Sequence, residues 1–506
     1  MARNIIANFF GRFWSIFAVF IFIPLYIRFL GIELYGLVSF FATMQSILFL
    51  LDAGLSATLR REFSKGSQQK GDYLNKYKLL RSIEFCYYVI IAFIIVLTYF
   101  GAGFIVSKWL NLGNIDRGIA VTAIRLMGIS ISLQFLSSLY FGSLLGLEKQ
   151  VVANVLQIGW SMFKNLFVVM ILWLVAPDIR LFYAWFILSD ILYLFLSRKI
   201  VLRTLKVDST FNWACSELKN LKQIWRYATG IIIISVLSAL CLQLDKLIIS
   251  KTLPISDLGI YNMAFSLSQI PVILVNAAAI AIFTRLVFYY STNELEKQKA
   301  LFAISYRILA IISISVSLTM GLYTREIIQL WTGNSAIAEQ GWLPAMILTF
   351  GSLLMSLQVI PLNLVFSHGV TRINTMLGIF QLMIMTPLML VLINREGIVG
   401  ASFSWLITLL LIMPVYICYI YYKLVSKNWL RWFISGTVYP IALIGLVVLI
   451  FFSFGKMFHF SSVIKIIYAL ISGLITLIIS FVLLVKNIKT QFYTIRSQLL
   501  DLRIQK

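Results

Sequence analysis

The chain has 506 residues, of which 60% are hydrophobic and only 12% are charged, and its mean hydropathy is +0.93. Soluble proteins carry about twice that charged fraction, so the composition excludes an ordinary soluble domain. The formal net charge of +23 would suit a nucleic-acid-binding protein, but no soluble basic domain is present to bind nucleic acid. The charge instead indicates how a membrane protein is oriented.

Long apolar runs recur along the whole chain, each about 20 residues, the length that spans a bilayer as a helix. We count fourteen, at about residues 12–30, 34–55, 82–106, 119–146, 151–175, 181–197, 229–250, 258–283, 304–328, 343–366, 375–393, 399–422, 437–454 and 463–485. They predict an all-α polytopic membrane protein.

Lys and Arg residues gather in alternate gaps between these runs. The gap after the second run contains Arg60, Arg61, Lys65, Lys70, Lys76, Lys78 and Arg81, and the gap after the sixth contains Arg198, Lys199, Arg203, Lys206, Lys219, Lys222 and Arg226. Loops rich in Lys and Arg stay in the cytoplasm. The pattern therefore predicts a multi-pass protein with both termini in the cytoplasm.

The longest basic gap divides the chain into two halves. We predict a six-span lobe at 1–200, a cytoplasmic linker at 201–228, a second six-span lobe at 229–422, and two extra spans with a cytoplasmic tail at 423–506. Helical spacing of apolar residues over Phe211–Trp225 predicts an amphipathic interfacial helix in the linker; a plain linker is the alternative. A short repeat, Glu33–Gly36 and Asp257–Tyr261, opens the second and eighth spans and predicts related halves.

The sequence lacks the motifs that are typical of several kinds of chemistry. The chain has no G-x-x-x-x-G-K-[ST] motif, so ATP hydrolysis at a P-loop is excluded. Its two histidines, His368 and His459, lie far apart and its four cysteines form no C-x-x-C, so we expect no cofactor or metal. No loop is long enough for a soluble catalytic domain, and we expect a transporter rather than an enzyme.

Polar residues instead follow single faces of the predicted spans. In the fifth span Asn154, Gln157, Ser161, Lys164 and Asn165 share one face at about 100° per residue. A mid-span lysine costs roughly 2.5–3.5 kcal/mol on insertion, so Lys164 should face the bundle interior, water or an anion. Arg125 lies on a similar face of the fourth span and Arg12 on one of the first.

Each of these charges also has a structural interpretation. Arg12 and Arg125 lie near span ends, where arginine snorkels to the interface. Lys164 has Asp190 of the sixth span as an alternative partner. Asp245 and Lys246 point about 100° apart on a helix and should therefore bond to different neighbours.

Asp52 has the same ambiguity at the inner end of the second span, where it is either a local cap or a partner for Arg60. Cations nevertheless outnumber acids at the deep positions, and this excess predicts an anionic guest.

Two pairs of segments resemble a known family. Leu30–Gly36 with Asp52–Ser56, and Leu244–Ser250 with Asp257–Tyr261, resemble the openings of the two halves of bacterial O-antigen and polysaccharide flippases. These belong to the multidrug/oligosaccharidyl-lipid/polysaccharide (MOP) superfamily. The resemblance implies two six-helix lobes around a central cationic cavity in the bacterial cytoplasmic membrane. It implies translocation of an undecaprenyl-diphosphate-linked oligosaccharide, with membrane lipids, a polysaccharide polymerase and a chain-length regulator as partners.

The resemblance and the polar faces together give the candidate site. Substrate-binding candidates in the cationic cavity are Arg12, Arg125, Lys164 and Lys246; coupling or gating candidates are Asp52, Asp245, Arg60, Arg61 and Asp190. Moving about two negative charges outward would release roughly 4–5 kcal/mol per 100 mV, and proton or sodium exchange at Asp52 or Asp245 is an added route.

Two other functions are open alternatives. A cation-coupled drug or metabolite exporter of the same superfamily would favour an acidic, aromatic cavity over the basic excess found here. An intramembrane polysaccharide polymerase or ligase would need a large outer loop with clustered Arg, His or Asp, which the sequence lacks.

Overall fold

The computed structural model describes residues 2–64, 73–205, 235, 237, 239–370, 372–425, 430, 433–457 and 463–483. Side chains are described at these positions except 2–13, 15–17, 50–51, 53–55, 57–58, 61, 372–374 and 425. The predicted interfacial helix over Phe211–Trp225 and the side chains of Arg12 and Arg61 therefore lie outside the described part of the chain.

The described residues are almost entirely helical, which confirms the predicted all-α class. The helices are α1 (Ala2–Ser64), α2 (Tyr73–Phe104), α3 (Arg117–Gly146), α4 (Gln150–Leu174), α5 (Ile179–Thr204), α6 (239–252), α7 (Ile255–Ser268), α8 (Ile270–Ser291), α9 (Leu295–Leu322), α10 (Thr324–Thr332), α11 (Ser335–Ser367), α12 (Arg372–Ile420), and two last helices, Tyr439–Lys456 and Val463–Leu483. Short π-helical turns, Ile105–Trp109, Tyr421–Val425 and Ile434–Val438, follow or precede three of them.

Within the described residues, eleven helical stretches are long and apolar enough to cross a membrane. Two of these, Ala18–Phe49 and Thr375–Leu424, contain a non-helical glycine: Gly31 at φ 79° and Gly397 at φ 57°. Glycine tolerates positive φ because it has no Cβ. Both kinks fall in gaps that the sequence predicts between successive spans. The total of fourteen spans stays a prediction.

The chain divides into two compact units, Met1–Asn262 and Met263–Lys506. The first contains α1 to α6 and the first part of α7; the second contains the remaining helices. Because residues 206–234 lie outside the description, the lobe boundaries predicted from the sequence stay a prediction.

The first unit is built around α3, which packs against α1, α2 and α5. Its buried positions include several small polar residues, among them Ser130, Ser132 and Gln134. By contrast, the outward face of α2 is apolar, with Phe93 65% exposed and Phe100 77% exposed. A bilayer solvates apolar side chains and not polar ones, so polar groups collect inside. The polar faces therefore lie where helices meet.

The second unit has its own core where α9, α11, α12 and the Tyr439–Lys456 helix meet. Tyr306 and Tyr421 pack edge to face at its centre, with ring centroids 5.9 Å apart. The hydroxyl of Tyr306 also hydrogen-bonds to Thr437 at 2.7 Å. The Tyr439–Lys456 helix is thus anchored to this core, and the last helix contacts it through Tyr468, whose hydroxyl donates to the Phe451 carbonyl oxygen at 2.8 Å.

Candidate functional site

Lys164 lies inside the first unit as half of a buried ion pair. Its Nζ is 3.2 Å from Oδ1 of Asp190, and the two residues are 5% and 0% exposed. The ammonium also lies 3.9 Å from the ring centroid of Phe186 and 4.8 Å from that of Trp160. Aromatic faces attract cations when water is excluded. The polar face of α4 thus points inward, and its charge is balanced by Asp190.

Asp190 accepts further hydrogen bonds from α3. Ser130 Oγ donates to Asp190 Oδ2 at 2.6 Å, and Gln134 Nε2 donates to the same oxygen at 2.8 Å. The side-chain oxygen of Gln134 in turn accepts a hydrogen bond from Gln45 of α1. A buried carboxylate must have its lone pairs occupied to be tolerated. These residues and Lys164 form one connection among α1, α3, α4 and α5, which we name the Lys164 network.

Asp52 forms a second buried acidic centre in the first unit. It is 3% exposed and accepts hydrogen bonds from the Tyr87 hydroxyl of α2 and from Ser138 Oγ of α3 at 2.7 Å. Arg60, its alternative partner in the sequence, is exposed and influences Asp52 as a neighbouring charge. Asp52 therefore ties three helices together instead of capping one.

A third acidic centre, Glu84, was missed by the sequence reasoning. Glu84 is 1% exposed and accepts from Arg81 at 2.6 Å and from the Tyr140 hydroxyl at 2.5 Å. Arg198 Nε of α5 lies 3.9 Å from the same carboxylate. The sequence offers only a single acid at a span edge, beside basic residues that the charge pattern explains as topology markers. We name these four residues the Glu84 cluster.

Asp245 and Lys246 are both buried in α6, and their side chains turn to different partners. Tyr261 of α7 donates to Asp245 Oδ2 at 2.9 Å, whereas Lys246 Nζ donates to Gln243 Oε1 at 3.3 Å. The two residues are 1% and 4% exposed. Asp245 thereby links α6 to the start of α7.

The described contacts of Arg125 are with Tyr99 and not with residues of the Lys164 network. Its Nε donates to the Tyr99 carbonyl oxygen at 3.2 Å, and its guanidinium carbon lies 4.4 Å from the Tyr99 ring centroid. These contacts hold Arg125 against α2. A cavity shared by Arg125 and Lys164 stays a prediction.

The two repeat motifs found in the sequence meet directly in the first unit. A Cβ added to Gly259 would lie 3.0 Å from the carbonyl oxygen of Ile32, and one added to Gly36 would overlap the carbonyl of Ile255. Gly259 thus faces the carbonyl of Ile32, one helical turn before Gly36. Gly36 in turn faces the carbonyl of Ile255, one helical turn before Gly259. This reciprocity is what a pseudo-two-fold relation between the motifs produces, and glycine allows it because a side chain would hold the backbones apart.

Hydrogen bonds surround this crossing at the gaps after the first, third and seventh spans, which are external if the N-terminus is cytoplasmic. Ile255 N donates to Asn111 O at 2.8 Å, within a short parallel bridge that pairs Asn111 with Pro254. Trp109 Nε1 donates to Ser250 Oγ at 3.0 Å.

The same loop also reaches the first motif, since Asn114 Nδ2 donates to Glu33 Oε1 at 3.1 Å. We name this group the outer latch, comprising Glu33, Trp109, Asn111, Asn114, Ser250, Pro254 and Ile255.

Among the described residues, no group of three or more His, Cys, Asp or Glu side chains is arranged to hold a metal ion. The described candidate residues contact one another through an ion pair and through hydrogen bonds from hydroxyls and amides.

Solved structures share this fold. The lipid II flippase MurJ in an inward closed conformation superposes with a TM-score of 0.71 at 15% identity, covering 96% of this chain and 100% of the other. An inward-facing multidrug resistance MATE family transporter of the MOP superfamily gives 0.65 at 13% identity, covering 80% and 94%. A MOP superfamily transporter from Pyrococcus furiosus gives 0.56 at 14% identity, covering 83% and 95%.

The fold is that of the polytopic MOP superfamily proteins. Residues 1–289 match the polysaccharide biosynthesis protein family, and the chain belongs to that family. No curated protein sequence matches it significantly.

Proposed function

We propose that the protein is a flippase that moves an undecaprenyl-diphosphate-linked oligosaccharide from the inner to the outer leaflet of the bacterial cytoplasmic membrane, for O-antigen or another surface polysaccharide. The observation that carries the proposal is the reciprocal glycine crossing of the two repeat motifs, in a chain of this family. Such a crossing is a contact between repeats that can be made and broken, as alternating access requires.

In this proposal the outer latch closes the external side while substrate enters from the cytoplasm. Three hydrogen bonds hold it besides the glycine crossing. At about 0.5–1.5 kcal/mol each, they contribute roughly 1.5–4.5 kcal/mol. Moving two negative charges down an inside-negative potential supplies roughly 4–5 kcal/mol per 100 mV. The two energies are comparable, so the latch opens without ATP.

In this proposal cationic side chains bind the diphosphate. We assign Lys164 the principal contact: the diphosphate competes with Asp190 for its ammonium, which lies in a site from which water is excluded. Arg12, Arg125 and Lys246 add positive charge along the path. Asp52, Asp245, Arg60 and Arg61 join Asp190 as coupling or gating residues, a role supported by the contacts between helices that Asp52 and Asp245 make.

A disulfide across the outer latch tests this mechanism. Paired residues of a β-bridge have Cα atoms about 5 Å apart, within the range that a disulfide spans. Asn111→Cys with Pro254→Cys, in a chain whose four native cysteines are replaced by serine, should cross-link under oxidation and lose most export. Reduction should restore it. Export is measured as surface glycan per amount of membrane protein in a strain lacking the native copy.

The two single-cysteine variants are the matched controls, because each carries one substitution and cannot close the latch. They should export equally with and without oxidant. Full export by a completely cross-linked double variant would show that the latch does not open during transport.

A further inference from the structure

The second unit contains a pocket that the proposed transport path does not use. A cavity of about 450 Å³ lies where the end of α9 and α10 meet α11 and the two last helices. Four aromatic residues, Tyr323, Trp342, Phe452 and Tyr468, contribute to its wall. We name it the aromatic pocket. It lies at helix ends predicted to be external, the depth at which aromatic residues meet lipid headgroups.

The charges around the aromatic pocket leave one cation in excess. Arg325 pairs with Glu339 at 2.6 Å and Lys465 with Glu326 at 3.6 Å. Lys456, the remaining basic residue of the pocket, is exposed, and its ammonium lies 4.7 Å from the ring centroid of Phe452. Basic residues are disfavoured in external loops, so three around one cavity indicate a local use for positive charge.

A buried donor lies in the same wall. Tyr323 is 5% exposed, and its hydroxyl has no hydrogen-bond partner among the described residues. A tyrosine hydroxyl is protonated at neutral pH and able to donate. An unpaired buried hydroxyl is unfavourable unless a ligand completes it.

Gly455, at the end of the neighbouring helix, allows Tyr468 and Tyr323 to pack closely against it. A Cβ added to Gly455 would lie 2.6 Å from the ring of Tyr468 and 3.3 Å from the Tyr323 hydroxyl oxygen.

The Tyr439–Lys456 helix, which contributes Phe452, Gly455 and Lys456 to the pocket, also has an open apolar surface from Ile441 past Leu446 to Met457. A molecule that places an anionic group in the pocket can therefore extend hydrocarbon along the same helix. This combination distinguishes a lipid from a free phosphate.

We propose that the aromatic pocket binds the phosphodiester of an anionic phospholipid in the outer leaflet. Lys456 and the Tyr323 hydroxyl contact the phosphate oxygens, and the rings of Trp342 and Phe452 pack against the glycerol. The one excess positive charge of the pocket balances the one negative charge of a phosphodiester. The site is independent of the transported substrate and does not rest on the proposed function.

Lipid titration of the purified full-length protein in detergent tests the site, with bound lipid counted by native mass spectrometry. Phosphatidylglycerol should bind one saturable site, more tightly than phosphatidylethanolamine, whose ammonium removes the net charge. Lys456→Gln should weaken phosphatidylglycerol binding by about tenfold or more, since hydrogen bonds to charged groups are the stronger kind. Lys108→Gln, at an exposed lysine of the first unit, is the matched control and should bind as the wild type does.

Tyr323→Phe separates a ligand contact from a folding role. Because the hydroxyl has no hydrogen-bond partner among the described residues, this variant should melt at or above the wild-type temperature when free of lipid, yet bind phosphatidylglycerol several-fold more weakly. Equal phosphatidylglycerol affinity in wild type, Lys456→Gln and Tyr323→Phe would overturn the proposal. So would glycerol 3-phosphate competing as strongly as the lipid, since the site would then recognise a free phosphate.

Discussion

Neutralising the Lys164–Asp190 pair separates a substrate contact from a structural bond. Lys164→Gln alone leaves the Asp190 carboxylate fully buried beside Phe186, without its cation. Removing one partner of a buried pair costs about 3–5 kcal/mol. Loss of export in the single variant would therefore have two explanations.

The double variant Lys164→Gln with Asp190→Asn removes both charges and retains the hydrogen bonds. An asparagine carbonyl still accepts from Ser130 and Gln134, and its amide donates to the new glutamine. Replacing both members of a buried ion pair is often neutral for stability, so we expect folded protein near the wild-type level. Export should nevertheless fall about tenfold or more, because a charged contact to the diphosphate is lost.

The assay is surface glycan per amount of folded membrane protein, with folded protein measured by size-exclusion chromatography of a fluorescent fusion. Lys164→Arg keeps the charge and should keep part of the export. Wild-type export by the neutral double variant would refute the assignment, and the pair would then be a purely structural bond.

Two further predictions concern the crossing and the Glu84 cluster. Gly36→Ala places a methyl group against the Ile255 carbonyl and should lower the yield of the latch disulfide, whereas Gly101→Ala, with no atom within 4 Å of its added Cβ, should leave the yield unchanged. Glu84→Gln removes the charge that Arg81 contacts and should destabilise the protein by about 3–5 kcal/mol, measured by thermal loss of the monodisperse peak. Glu296→Gln breaks only an exposed pair and should cost under about 1 kcal/mol; equal losses in the two glutamate variants would contradict the cluster's role.

The features that the sequence predicts well are those set by local physics. A bilayer requires long apolar helices, so hydropathy alone indicates the fold class. The kinks at Gly31 and Gly397 fall in predicted gaps because glycine both interrupts an apolar run and allows the chain to turn. The sequence leaves two interpretations of Lys164, and its ion pair with Asp190 is the structural one.

The remaining features depend on which helices become neighbours. Glu84 has an ordinary appearance in the sequence, and its partners Tyr140 and Arg198 lie on other helices. The repeat motif was recognisable, but the reciprocal fit of Gly36 and Gly259 depends on two backbones meeting at one register. Contacts of this kind follow from packing, which a single sequence does not specify.

Measuring the leaflet in which lipid-linked oligosaccharide accumulates tests the central claim most directly. In spheroplasts depleted of the protein, the complete oligosaccharide should remain attached to its lipid and inaccessible to a glycosidase added from outside. Wild-type protein should make it accessible, and the oxidised latch disulfide should prevent this. Access without the protein would contradict the flippase proposal, as would accumulation of an incomplete oligosaccharide, which indicates a missing catalytic step instead.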